Sequence, residues 1–187
     1  MNIAIRFALM AGLAQAAVMT VAAPQAQATT AAQINFDGRQ ALDQLYANSP
    51  KALELSHRAL AVLVFPEIIK AAFLVGAQTG NGVLLERGRP AGYYNISAAS
   101  FGFQAGGKKF AYALFFMNRG ALGYLKKSDG WAIGAGPSVV VVDKGFARGM
   151  TSTTLTQVVY AFPFEQRGLM GGIGLEGSKI THYTPDR

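Results

Sequence analysis

Residues 167–179 read Arg167-Gly-Leu-Met-Gly-Gly-Ile-Gly-Leu-Glu-Gly-Ser-Lys179, and this segment gives the clearest indication of the fold class. Its glycines stand among apolar residues, whereas the glycines of a flexible linker stand among polar ones. Glycine inside an apolar run is typical of a strand that bends or that lets another backbone come close. The same pattern recurs in 102–107 and 134–136. The sequence therefore predicts a closely packed antiparallel sheet.

Apolar runs of strand length recur on both sides of this pattern, at a spacing of about ten residues that is typical of a sandwich or barrel-like sheet. Pro66 is expected to end the first run, and Asn81-Gly82 is a hairpin signal. The predicted strands are 61–65, 71–77, 82–85, 93–103, 110–117, 131–142, 154–162 and 168–180.

Helical spacing appears before the sheet and once within it. Asp37 is a candidate N-cap of a first helix, and Ser49 followed by Pro50 opens a second. A short helix is predicted over 118–127, with Asn118 as its cap and two lysines in its last turn. The predicted fold class is α+β: two N-terminal helices, then a curved, barrel-like, mainly antiparallel sheet with one short inserted helix.

The N-terminus has the pattern of a secretory signal peptide. A positive charge within 1–6 precedes an uncharged apolar run over 8–21, and Ala26-Gln27-Ala28 fits a cleavage site. The predicted organisation is a signal peptide over 1–28, a mobile arm over 29–36 and a single domain over 37–187. The sequence contains no cysteine, which fits export to a bacterial periplasm or cell envelope, including a position peripheral to the membrane, without disulfides.

Positive charge is the main indication of a partner. The chain has 17 basic and 10 acidic side chains, and removal of Arg6 with the signal peptide leaves a net charge of +6. For an exported protein with a positive net charge, an anionic phospholipid surface is favoured as a partner over nucleic acid, for which no recognition motif is present. Solubility alone would also explain this charge. The candidate lipid-contacting residues are Arg39, Lys51, Arg58, Lys108, Lys109, Lys126 and Lys127. Aromatic residues beside them, such as Phe110 and Tyr124, are expected to be exposed.

Motifs for catalysis, metal binding or cofactor binding are weak. His57 and His182 have no histidine or cysteine companion with ligand spacing. The spacing of Gly172, Gly174 and Gly177 matches a dinucleotide fingerprint, but too few residues follow for the required helix and acidic residue. The carboxylates are scattered, with no pair singled out by spacing. We therefore predict a protein that is not an enzyme and has no cofactor.

The chain resembles the SYLF domain family, a lipid-binding module that is also found in actin-associated proteins of yeast and animals. The matching pieces occur in the family's order over most of the predicted domain. They are 58–66, 70–73 with 76–85, 93–97 with 101–106, 131 with 133–134, and 167–178.

The resemblance implies binding of acidic phospholipids without turnover, through a basic helix before the sheet. Here that region, 37–60, supplies Arg39, Lys51 and Arg58. Bacteria generally lack phosphoinositides, so cardiolipin or phosphatidylglycerol would be the target. The expected function is non-enzymatic binding of anionic phospholipids at the cell envelope. The alternative is a structural or protein-interaction module of the envelope, with a protein partner that the sequence does not identify.

Overall fold

The computed structural model describes residues 29–73, 75–101, 106–142, 157–168 and 177–186. The helices in these residues are α1 (Ala31–Asn48), α2 (Pro50–Arg58) and α3 (Arg119–Lys127). The strands are β1 (Ala61–Phe73), β2 (Val75–Glu86), β3 (Arg89–Phe101), β4 (Gly106–Phe116), β5 (Trp131–Ala132), β6 (Val139–Val141), β7 (Val159–Gly168) and β8 (Lys179–His182).

The α+β prediction is confirmed. Helices α1 and α2 precede the sheet, and α3 lies between β4 and β5. The strands form one curled sheet in the order β5-β8-β3-β2-β1-β4-β7-β6. The described pairings are antiparallel except that of β6 with β7. The four longest strands, β1 to β4, occupy the middle of the sheet in the order β3-β2-β1-β4.

Helix α1 begins earlier than the sequence predicted. Thr30, not Asp37, is the N-cap, and its hydroxyl accepts a hydrogen bond from the Gln33 backbone N–H at 3.3 Å. Residues 31–36 are therefore helical rather than a mobile arm, and Ile34 is buried against the sheet. Threonine caps a helix nearly as well as aspartate, so local preference alone could not choose between the two positions.

The other two helix starts are confirmed. The Ser49 hydroxyl accepts from the Ala52 N–H at 3.2 Å, with Pro50 at the first helical position. The Asn118 side chain accepts from the Ala121 N–H at 2.8 Å. In both cases the cap and the apolar spacing that follows it agree, so the local sequence was sufficient.

The hairpin predicted at Asn81-Gly82 is wrong. Strand β2 continues through this pair without a shift in its register with β3, and Phe73 of β1 is the register partner of Val75 of β2. Glycine is required at position 82 for close packing of strands and not for a turn. A Cβ atom at Gly82 would lie 2.4 Å from the Val64 carbonyl oxygen, so only glycine allows β1 and β2 to approach this closely here.

Pro66 does not end β1, as the sequence had suggested. The register with β4 breaks between Phe65 and Ile68, and the register with β2 breaks between Val64 and Ile69. Proline cannot donate to a ladder, and a bulge is a place in a central strand that tolerates it. The strand therefore continues past Pro66 as one bulged element of 13 residues, more than twice the length predicted over 61–65.

The predicted strand over 131–142 is two short strands, β5 and β6, separated by a turn with Gly134 and Gly136 at positive φ. Some predictions lie wholly or partly outside the described residues. They are the signal peptide over 1–28, the ends of the strands predicted over 93–103 and 154–162, and the middle of the glycine-rich strand predicted over 168–180.

Both faces of the sheet are covered. On one face, which we call the helix side, α1 and α2 pack on alternate residues of the central strands, including Val62, Val64 and Phe115. On the opposite, α3 side, Leu63, Phe65 and other residues of the central strands form a second core with α3 and Trp131. Strand β4 is therefore buried on both faces from Phe110 onward, which explains its uninterrupted apolar sequence.

Tyr112 places a hydroxyl group in the core on the α3 side. The residue is fully buried, and its hydroxyl has no hydrogen-bond partner in the described part of the chain. Burial also raises the pKa of the Tyr112 phenol well above its usual value of about 10. A buried hydroxyl without a partner costs about 1–3 kcal/mol, so Tyr112 is a source of instability in the core.

We expect Tyr112→Phe to raise the free energy of unfolding, by about 1 kcal/mol at neutral pH. The folded state keeps the phenol proton at pH values where the unfolded chain loses it, so stability falls as pH rises above about 10. The variant should lessen that fall, although Tyr46 and Tyr94, whose pKa values burial also raises, should preserve part of it. Urea unfolding at neutral and alkaline pH measures both effects. A less stable variant at neutral pH would contradict the prediction.

Candidate functional site

One end of the sheet gathers much of the positive charge. Ala61, the first residue of β1, is the register partner of both Glu86 and Phe116, the last residues of β2 and β4. The end of α2, the turn between β2 and β3, and α3 therefore meet at this end, which we call the basic end. Its cationic residues are Arg58, Arg87, Arg89, Arg119, Lys126 and Lys127.

Helix α3 is oriented by its buried face. Ala121 and Leu125, four residues apart, are buried in the core on the α3 side. Side chains at this spacing share one face of a helix. The opposite face consequently presents Arg119, Gly123 and Lys127, which follow the same four-residue spacing and point away from the core.

A shallow depression of about 520 Å³ lies on this outward face of α3. It is lined by Arg119, Gly120, Gly123, Tyr124, Lys127 and Ser128. The glycines create the space, because a Cβ atom at Gly123 would have no atom within 4 Å. The floor of the depression is therefore helix backbone, with a cationic side chain at either end.

Tyr124 supplies an exposed aromatic ring at this depression. It is 41% exposed, and its ring meets Trp131 edge to face with the centroids 6.4 Å apart. Gly136 lies against the ring, since a Cβ there would come within 2.8 Å of the Tyr124 Cζ atom. A tyrosine fixed on one side and exposed on the other is the kind of side chain that is enriched at membrane–water interfaces.

The charges of this end differ in how far they are neutralised. Lys126 forms an ion pair with Glu86, and its backbone carbonyl is 3.2 Å from the His182 Nε2 atom. Arg119 and Lys127 form no ion pair with any residue that the structure describes. These two cations are therefore the ones whose charge faces solvent on both sides of the depression.

The candidates named from the sequence do not form one site. Arg58, Lys126 and Lys127 lie at the basic end, and Arg39 is exposed on α1. Lys51 pairs with Glu54 in α2. Three of the seven candidates therefore form ion pairs with a neighbouring carboxylate: Lys51, Lys109 and Lys126.

Lys108 and Lys109 lie near the start of β4, at the end of the sheet opposite to the basic end. They point to opposite faces because side chains alternate along a strand. Lys108 is only 7% exposed, while Lys109 lies on the helix side and pairs with Glu67 at 3.0 Å. The expectation that Phe110 is exposed beside them is wrong, because Phe110 lies in the core at 3% exposure.

Arg119 was not among the candidates from the sequence. The sequence signal that could have identified Arg119 is its four-residue spacing from Gly123, which is repeated from Gly123 to Lys127. All three lie in a helix that was predicted over almost the same residues. The spacing becomes informative only once Ala121 and Leu125 are known to face the core. Arg87 and Arg89 flank Gly88 in the turn between β2 and β3, and both are exposed.

Other chemistry is sparse in the described residues. In 29–73, 75–101, 106–142, 157–168 and 177–186, no three histidine, aspartate or glutamate side chains lie close enough to hold a metal ion. Burial, and then the charge of Glu86, raise the pKa of Tyr94. The Tyr94 ring contacts that of His182 with the centroids 4.8 Å apart and the ring planes tilted by 36°. None of the helices in these residues is long and apolar enough to cross a membrane.

Comparison with known proteins adds no family assignment. No protein-family model matches the chain, and no curated protein matches it at a significant level.

Proposed function

We propose that this protein binds anionic phospholipids at the surface of a bacterial cell-envelope membrane, without enzymatic turnover. The observation that carries the proposal is the depression on α3, where Arg119 and Lys127 flank the exposed ring of Tyr124. Each basic side chain near an anionic membrane surface contributes about 1 kcal/mol of attraction. The resemblance of the sequence to the SYLF family and the predicted signal peptide also support lipid binding at the envelope.

The geometry suggests how such docking would work. The phosphate groups of the lipid would lie between Arg119 and Lys127, above the glycine floor of α3. Tyr124 would sit at headgroup level. Leu60, which is 40% exposed and whose N–H donates to the Phe116 carbonyl at the same end of the sheet, would insert shallowly into the apolar layer.

The flanking residues of the basic end would extend this contact. Arg58, Arg87 and Arg89 are exposed at the ends of α2, β2 and β3. Their role would be long-range attraction, since they surround the depression without lining it. Lys126 would contribute less, because Glu86 already neutralises it.

Vesicle flotation tests the proposal. We expect the protein to float with vesicles of phosphatidylcholine that contain phosphatidylglycerol or cardiolipin, and to float weakly or not at all with phosphatidylcholine alone. Binding should weaken between about 50 mM and about 500 mM NaCl, because salt screens interactions between exposed charges.

Two outcomes would count against it. Equal binding to neutral and anionic vesicles would indicate apolar insertion without headgroup recognition. No binding to either would favour the alternative of a structural or protein-interaction module. Bound fractions measured over a range of lipid concentrations separate weak binding from none.

A further inference from the structure

A second, larger cavity lies on the other face of the sheet. Helix α1 packs tightly where Gly38 meets Val64 and Val83, since a Cβ at Gly38 would lie 2.7 Å from the Val83 side chain. Beyond this contact, where β1 bulges at 66–67, a groove of about 740 Å³ opens between the helix and the sheet. Its volume falls in the range of about 300–1,000 Å³ that is usual for small-molecule sites.

The groove is long rather than round. Its helix wall includes Ile34, Asp37, Gln40 and Gln44, which recur at helical spacing along one face of α1. At a rise of 1.5 Å per residue, this wall is about 15 Å long. A groove of this form suits an extended molecule better than a single ion.

The sheet wall carries a fixed hydrogen-bond network. The Asn95 side-chain nitrogen lies within hydrogen-bond distance of three oxygens, the Gly80 carbonyl at 3.2 Å, Thr79 Oγ1 at 3.1 Å and Asn81 Oδ1 at 2.8 Å, so its two N–H groups are shared among three acceptors. Because a carbonyl oxygen only accepts, the Asn95 nitrogen must face Gly80. The network leaves the Asn95 oxygen as an acceptor and the Asn81 amide group as a donor for something else.

The carboxylates of the groove are also held in place. Asp37 accepts from Gln33 Nε2 at 2.8 Å through one oxygen, and Glu67 pairs with Lys109 through one oxygen. Each has a second oxygen left to accept a hydrogen bond. Glu165, at the bulge of β7, is the third carboxylate of the lining. No lysine, arginine or histidine lines this groove among the residues that the structure describes.

The lining selects a class of ligand. Carboxylates without lining cations disfavour an anion, and in the described residues no three potential ligands come together for a metal ion. Side-chain donors and acceptors that are both oriented match hydroxyl groups, which donate and accept at once. Ile69, 45% exposed, and Tyr183 add apolar surface for C–H faces. We infer that the groove along α1 binds a neutral, polyhydroxylated chain of the oligosaccharide class.

This inference does not depend on lipid binding. The groove lies on the helix side of the sheet, whereas Arg119 and Lys127 lie on α3, which packs against the other side. A protein with both sites would hold a glycan and a membrane surface simultaneously. Either site can fail its test while the other passes.

NMR titration of the purified protein tests it. The probes are neutral tetrasaccharides of glucose with β1–4 or α1–4 linkages and of N-acetylglucosamine, each at millimolar concentration. We expect at least one to shift the side-chain amide signals of Gln40, Gln44, Asn81 and Asn95. Isothermal titration calorimetry then gives the affinity.

Asn81→Asp is the decisive variant. It keeps an oxygen for the Asn95 amide and keeps the size of the side chain, but it replaces the outward donor by an acceptor. We expect oligosaccharide binding to weaken about tenfold or more. Arg119→Ala, on the other side of the sheet, should leave it unchanged. Thermal unfolding of both variants checks that the fold is intact.

The result that would overturn the inference is the absence of binding by every neutral tetrasaccharide. Full wild-type affinity in Asn81→Asp would also overturn it, because the fixed donor would then have no role. Spermidine serves as the competing probe. If it alone shifts the groove signals, and Asn81→Asp binds it more tightly, the groove is a site for cations and the oligosaccharide assignment is wrong.

Discussion

Gly82→Ala is expected to lower the free energy of unfolding by about 3 kcal/mol or more, the upper range for overpacking a core. The added Cβ would lie 2.4 Å from the Val64 carbonyl oxygen and 2.5 Å from Phe65 Cδ1. The carbonyl belongs to a paired backbone, so relief requires β1 and β2 to move apart. Such a loss is a large part of the 5–15 kcal/mol that holds a typical domain together.

Thermal and urea unfolding measure this loss. For a domain of this size, 3 kcal/mol corresponds to a melting temperature roughly 6–12 °C lower. Gly80→Ala should behave similarly, because its Cβ would lie 2.5 Å from the Glu67 carbonyl oxygen at the bulge of β1.

Gly123→Ala is the matched control for the glycine prediction. Gly123 is inside α3, and a Cβ there would meet nothing within 4 Å. Alanine is favoured over glycine in a helix by about 1 kcal/mol, so this variant should be slightly more stable than the wild type. An unchanged melting temperature in Gly82→Ala would show that β1 and β2 are not in close contact at Val64.

Removing Arg119 and Lys127 together is expected to have the largest effect on membrane binding. If each contributes about 1 kcal/mol, the Arg119→Ala/Lys127→Ala protein should bind anionic vesicles about 30-fold more weakly. Both side chains line the depression on α3, and neither has an ion-pair partner in the described part of the chain. Both are exposed, so folding should be little affected.

The control removes the same charge from elsewhere. Lys51→Ala/Lys109→Ala also lowers the net charge by two, but these lysines pair with Glu54 and Glu67 away from α3. We expect vesicle binding within about threefold of the wild type, because exposed ion pairs contribute little. If the two double variants lose binding equally, net charge alone attracts the membrane and α3 is not the contact surface.

Local signals in the sequence were sufficient where cap and periodicity agreed. Ser49 with Pro50 began α2, and Asn118 began α3, as predicted. The α+β class followed from the change between helical spacing and strand-length apolar runs. Local sequence signals could not distinguish Thr30 from Asp37 as the start of α1, because both residues are good N-caps.

Neighbours along the chain were therefore sufficient to specify the fold class, two of the three helix starts and the apolar strand β4. The mid-strand position of Asn81-Gly82 depends on packing between strands, because contact with Val64 outweighs a local turn preference. Packing also places Lys108 and Lys109 on opposite faces of the sheet, and it places Arg119 and Lys127 on the same outward face of α3. A binding surface is made by residues distant in sequence, and their directions are fixed only when strands pair and helices pack.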